Sequence, residues 1–178
     1  QILDLENQRN SSLDKILKII NYYNKDLHPA TKIKVANEIY EMCIKYENLN
    51  IELVCATITH ESARTWDPKI VSPAQAIGLM QILPITGKFL AKQEGYEFNN
   101  IEDILYNPII NIRLGCRYLS YLIEAYDVHG GLAAYNCGER WAEKWISSGQ
   151  ASGILPTETV NYVPAILKIY QEYCQMRI

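Results

Sequence analysis

Glu61 is an acid placed where an apolar residue belongs. Counting back from it by helical turns reaches Ile58, Thr57 and Val54, which share its helix face. That face is the one expected to be buried, and a buried Glu needs either a partner or a task. Thr65 to Pro68 cannot continue the helix, so Glu61 lies near its C-terminal end. There the partial negative charge of the helix opposes a second negative charge, and burial acts in the same direction. Both effects predict a carboxyl group that keeps its proton near neutral pH. That is the state required of an acid that protonates a leaving glycosidic oxygen. Taken alone, Glu61 is also readable as a buried acid satisfied by neighbouring amides or by His60, and on position alone that plainer reading leads.

The elements that must position this acid read as helices. After a polar stretch over residues 1–10, expected to be a flexible lead-in, Ser11 or Ser12 caps a helix with Leu13, Ile16, Leu17, Ile20 and Tyr23 on one face. His28-Pro29 breaks it and Thr31 starts a second. Asn50 caps the helix that ends at Glu61. A turn-rich loop with Pro68 and Pro73 leads to Gly78-Leu79-Met80-Gln81, and a helix from about Thr86 stops at Gly95. Asn107-Pro108 couples a capping side chain to Pro at the first helical position and opens a long helix. Gly115 inside that helix costs about 1 kcal/mol against Ala, which predicts close packing there. Gly130-Gly131 is expected to end it, with 132–135 as a short apolar piece. Trp141 and Trp145 share a helix face and are assigned to packing. Pro156-Thr157 begins the last helix, whose start Pro164 should shift or kink. No alternating run makes a good strand. The expectation is an all-α single domain over residues 11–178, with about seven to nine helices.

Composition narrows the function classes. Of 178 residues, 48% are hydrophobic and 21% charged, ordinary values for a globular domain with a real core. A net charge of −3 gives no electrostatic reason to expect nucleic acid. No apolar run approaches the roughly 20 residues of a membrane span. The chain opens on Gln1 rather than Met, so any export signal or anchor is expected to lie outside these residues. Five cysteines without a CxxC pair argue against a zinc or thioredoxin-like site, and one disulfide stays open. Nothing calls for a metal or an organic cofactor. Thirteen Tyr against two Phe suit sugar rings, although Tyr packed at the core edge with a wet hydroxyl explains most of them.

Around Glu61 the sequence reads His60-Glu61-Ser62-Ala63, then Ser72, then Gly78-Leu79-Met80-Gln81-Ile82-Leu83-Pro84. These words resemble the active-site signature of family 1 lytic transglycosylases, the SLT domain. Ala134-Tyr135-Asn136-Cys137-Gly138 resembles that family's Ala-Tyr-Asn-Ala-Gly motif. Asn107-Pro108 with Asn111, Gly115, Tyr118 and Leu119 resembles its middle helix, and Glu158-Thr159 with Tyr162-Val163 its last motif. The blocks occur in family order from about residue 50 to 173.

The resemblance implies a lysozyme-like, mostly helical fold. It implies cleavage of the β-1,4 bond between N-acetylmuramic acid and N-acetylglucosamine in peptidoglycan. Glu61 would be a single acid/base that closes the muramic C6 hydroxyl onto C1, giving a 1,6-anhydro end. Ser72 would contact the muramic N-acetyl group, and Met80 would help bind substrate. Gln81 would lie near the cleaved bond. Tyr135 would bring a hydroxyl close to Glu61 or the sugar, Asn136 would shape the same wall, and Glu158 and Tyr162 would line the far side. Each has a plainer reading, as a cap, surface amide, core residue or helix-start acid. Gln75 stands where the family commonly has Gly, so a left-handed backbone there would fall on a side-chain-bearing residue. Arg64-Thr65-Trp66 reads as extra loop material. The partners implied are glycan strands, with the domain exported to the periplasm or cell wall and a monomer expected. Two rivals remain: a goose-type-like lysozyme hydrolysing the same bond with a second carboxylate, and a cell-wall-binding assembly module of a secretion machine.

Overall fold

The computed structural model describes residues 2–176. The helical periodicities resolve there into eight helices: α1 (Ile2–Tyr23), α2 (Pro29–Lys45), α3 (Ile51–Glu61), α4 (Pro84–Gln93), α5 (Ile101–Leu105), α6 (Pro108–Cys137), α7 (Glu139–Ser147) and α8 (Thr157–Gln175). The all-α expectation holds. Extended pairing among the described residues is confined to isolated bridges, Val71 with Ile77 and Ile77 with Ile82.

α3 is the axis of the fold. Residues from Leu53 to Thr59 are all buried, so this helix is enclosed on every side rather than on the single face expected. A helix apolar all round belongs in a core. Asn50 caps it as expected, accepting from the Leu53 N–H at 2.9 Å. α3 packs chiefly on α8, α6 packs on α2, α7 and α8, and α1 lies against α2 and α3. Glu61 is thus delivered, by a helix that cannot rotate without disturbing the core, to the point where the core meets solvent.

α2 starts at Pro29, capped by His28, and α4 at Pro84, each two residues before the expected Thr31 and Thr86, and three further points differ from the sequence reading. α1 already begins at Ile2, so residues 2–10 are helical; residues 3–10 are exposed, which accounts for their polarity. The break expected at Gly130-Gly131 falls at Asp127 (φ 60°, ψ −175°), whose Oδ1 accepts from the Gly130 N–H at 3.0 Å. Asp127 therefore caps a second helical segment, and residues 132–135 belong to it. Gly131 is there for space: a Cβ would lie 2.9 Å from the Ile123 backbone. Pro164 does not interrupt α8, which runs through it with the ring exposed. The close packing expected at Gly115 is present, since a Cβ would come within 2.4 Å of Met80 Sδ. All five cysteines are unpaired.

Candidate active site

Glu61 is the last residue of α3 and is partly exposed. Its partner is neither a backbone amide nor His60 but Tyr162, whose hydroxyl donates to Oε1 at 2.5 Å across 101 residues of sequence. Tyr162 belongs to α8 and is 4% exposed. Burial pushes the Glu61 carboxyl up to about 7; the Tyr162 hydrogen bond pulls the other way, and the charge of Glu158 adds to the rise. His60 packs its ring edge-on against Tyr162, with centroids 4.9 Å apart. Burial, helped by the nearby Arg64 charge and opposed by that of Glu158, lowers the His60 pKa and so favours the neutral ring.

The loop after α3 returns to the site through a tight segment fixed by Asn111. This side chain comes from α6 and is fully buried. Its Oδ1 accepts from the Met80 N–H at 2.9 Å, and its Nδ2 donates to the carbonyls of Ile77 (2.8 Å) and Leu105 (2.9 Å). Gly78 (φ 81°) leaves room for that amide, since a Cβ there would lie 2.4 Å from Asn111 Nδ2. Gln75 adopts a left-handed backbone (φ 66°), as does Gln81 (φ 47°).

The eight predicted side chains divide into groups. Gln81 Nε2 donates to the carbonyls of Gly78 (2.9 Å) and Ile70 (3.2 Å), which orients the amide nitrogen inward and leaves its oxygen available. Ser72 Oγ accepts from the Ala76 N–H at 3.0 Å, which leaves its own proton to donate. Met80 has no exposed surface; its side chain packs on Gly115 and Cys116, and it supports the site from behind. The Met80 carbonyl accepts from the Tyr135 hydroxyl at 2.7 Å, so that hydroxyl is committed to the loop rather than to Glu61. Burial and the Glu61 charge push the Tyr135 phenol well up. Asn136 donates to Glu158 Oε1 at 3.3 Å and accepts from the Thr159 hydroxyl at 2.7 Å, tying the end of α6 to the first turn of α8. The Glu61 carboxyl is thus within electrostatic reach of Tyr162, Tyr135 and Glu158. Ser72 stays within its own loop.

Two residues that organise the site escape sequence reading as such. Asn111 carries a signal: it is a polar residue among Ile109, Ile110 and Ile112, the same kind of anomaly as Glu61. Trp66, which reads as extra loop material, is fully buried behind the acid. A separate cavity of about 930 Å³, lined by Phe89, Arg117, Tyr118 and Tyr121 among others, contains none of the predicted site residues. Tyr118 connects the two regions, its ring lying 5.5 Å from that of Tyr135.

Fold and site together define an all-helical domain that presents one proton-holding carboxyl group between the end of a core helix and a stapled loop. The family model of the transglycosylase SLT domain matches residues 38–156, and the chain belongs to that family. The soluble lytic murein transglycosylase of Escherichia coli K12 is 28% identical over 130 residues, 71% of this chain and 20% of that protein. Among solved structures, an inactive Glu-to-Gln variant of the lytic transglycosylase Slt from Pseudomonas aeruginosa superposes with a TM-score of 0.67 at 25% identity, over 78% of this chain and 24% of that one. The 70-kDa soluble lytic transglycosylase in complex with bulgecin A gives a TM-score of 0.68 at 28% identity, over 79% and 24%. The chain therefore spans about a fifth of the length of that curated relative and 24% of those solved chains.

Proposed function

We propose that this domain is a peptidoglycan lytic transglycosylase, cleaving the β-1,4 bond between N-acetylmuramic acid and N-acetylglucosamine with Glu61 as its only acid/base. The observation that carries the reading is the Glu61 carboxyl, held up to about 7 by burial and bonded to Tyr162 rather than to a second acid. Protonated Glu61 gives its proton to the glycosidic oxygen as the bond to C1 breaks. The carboxylate so formed is stabilised by the short Tyr162 hydrogen bond. It then takes the proton of the muramic C6 hydroxyl while O6 bonds to C1. Glu61 ends protonated, the product carries a 1,6-anhydro ring, and no water is consumed. The Ser72 hydroxyl, with its proton to donate, suits the N-acetyl carbonyl. The Gln81 amide oxygen suits a sugar hydroxyl or amide near the cleaved bond. Tyr135, Asn136 and Glu158 form the opposing wall. The substrate lies outside the cytoplasmic membrane, so the domain works in the periplasm or at the wall, on glycan strands and as a monomer.

Hydrolysis of the same bond is the rival. It needs a second carboxylate to hold water. Glu158 is the acid whose charge reaches Glu61, but its Oε1 is engaged by Asn136. Digesting purified sacculi and weighing the released fragments separates the two, because an anhydro product lacks the water that hydrolysis adds. Glu61→Gln should lower the rate by about 10³-fold, the usual scale for losing a general acid. A variant that clears sacculi at the parent rate would remove Glu61 from the mechanism. The Pseudomonas aeruginosa relative crystallised as inactive also carries a Glu-to-Gln substitution.

A further inference from the structure

Directly behind Glu61 the backbone is strained. Ala63 (φ 50°), Arg64 (φ 62°) and Trp66 (φ 50°) all take left-handed conformations, and none is Gly. Each costs about 1–2 kcal/mol, and such a run persists only where its surroundings over-determine it. Trp66 supplies those surroundings. Its backbone N–H donates to Ser62 Oγ at 3.1 Å, its indole Nε1–H to Thr59 Oγ1 at 2.9 Å, and its carbonyl accepts from Asn24 Nδ2 at 3.1 Å. Ser62 and Thr59 flank Glu61 in sequence and are both fully buried. The Thr59 hydroxyl also pairs with the Tyr173 hydroxyl at 2.8 Å. Tyr173 is on α8, the helix that carries Tyr162. The indole therefore ties the last turn of α3 to α8 at Tyr173, about three turns along that helix from Tyr162, so the turn that carries Glu61 is held to α8 at two separate points. Asn24 follows α1, and both α1 and α8 lie outside the residues matched by the family model.

We infer that Trp66 is a positioning residue for Glu61. Through the Thr59 and Ser62 hydroxyls it locks the strained turn and fixes where the Glu61 carboxyl lies against Tyr162. The inference rests on Glu61 being the acid of the proposed reaction. Packing alone would be met by any aromatic ring of similar size; the N–H on Thr59 is what a positioning role adds.

The test uses Trp66→Phe, which keeps a ring and deletes the N–H, with Thr59→Val, which deletes the hydroxyl at the centre of the network, and Thr59→Ser, which retains it. The ionisable groups around Glu61 are Tyr162 and Glu158 from α8, Tyr135 from α6, and His60 and Arg64 from α3 and the turn after it; all are unchanged in the three variants. Glu61 ionisation is followed by carbon NMR of labelled carboxyl groups, and kcat and KM are measured against pH on purified glycan strands. In Trp66→Phe and Thr59→Val the carboxyl gains water, so Glu61 titrates at lower pH. The alkaline limb of the activity profile moves down with it, and kcat falls by roughly tenfold with KM unchanged. Thr59→Ser behaves as the parent. Parent-like Glu61 titration and alkaline limbs in both Trp66→Phe and Thr59→Val overturn the inference. If Trp66→Phe does not fold, the Thr59→Val and Thr59→Ser pair decides alone by the same criterion. If the parent releases no anhydro product, the functional reading fails, while the Glu61 titration still tests the positioning role.

Discussion

Two short loops follow Glu61, residues 62–66 and 75–82, and both force side-chain-bearing residues into left-handed backbone: Ala63, Arg64 and Trp66 in the first, Gln75 and Gln81 in the second. They are held in opposite ways. The first is gripped by the buried Trp66, whose indole N–H, backbone N–H and carbonyl are answered separately by Thr59, Ser62 and Asn24. The second hangs on one inserted amide, Asn111, which satisfies three backbone groups at once, with Gly78 making room for it. A distributed hold loses little when one bond goes. A centralised hold fails as a unit, because one deletion orphans several buried groups.

That contrast is most easily broken at Asn111. Asn111→Ala strands the Met80 N–H and the Leu105 carbonyl in the core and leaves the Ile77 carbonyl only its bond from the Ile82 N–H; two orphaned groups at roughly 1–3 kcal/mol each should cost about 4 kcal/mol. Urea denaturation measures it, and a loss below that of Trp66→Phe would reverse the ranking of the two loops. The carboxyl between the loops comes next. The folded protein holds the Glu61 proton up to about 7 against a reference of 4.5, so it binds more protons than the unfolded chain in that window and loses stability as pH rises through it. Glu61→Gln should match the parent near pH 4 and gain on it above pH 5. The gap should level off above pH 8 at no more than about 3.5 kcal/mol, since each tenfold difference in proton affinity is worth about 1.4 kcal/mol. Melting curves across that range that stay parallel would contradict the buried acid. Trp66→Phe should cost about 2 kcal/mol in urea, one neutral hydrogen bond together with the small cavity left by the lost part of the indole. Smallest of all, Gln75→Gly should raise stability by about 0.5 kcal/mol, relief of the left-handed residue being partly offset by greater freedom in the unfolded chain. A destabilised Gln75→Gly would mean that the side chain itself holds the loop.

The two loops also differ in how far sequence reaches them. Gly78 to Pro84 is recognisable as a motif, and Gln75, standing where Gly is common, leaves two outcomes open, a left-handed Gln or a reshaped loop; the structure has the left-handed Gln. Residues 64–66 fit no motif and read as spare length, because an aromatic beside turn residues carries no local sign of which way it faces. Asn111 is legible as a polar intruder on an apolar helix face, but its three backbone partners sit in segments separated from it by up to 34 residues. Gly130-Gly131 misleads for a related reason. Glycine marks both helix ends and close crossings, and here the crossing over Ile123 is what requires it, while Asp127 makes the break.

The sequence by itself determined the helical class, the capped starts at Asn50 and Asn107, and the presence of a lone acid at the end of a core helix. These follow from periodicity, capping chemistry and short-range spacing, which are written within a few residues of one another. Only the tertiary structure decided that Tyr162 bonds to Glu61, that the Tyr135 hydroxyl goes to the Met80 carbonyl, and that Trp66 closes the turn behind the acid. Each of those choices is made between residues far apart in the chain or facing in directions that spacing does not set. They are fixed by how α3, α6 and α8 pack, because a buried polar group takes the partner that packing brings within reach.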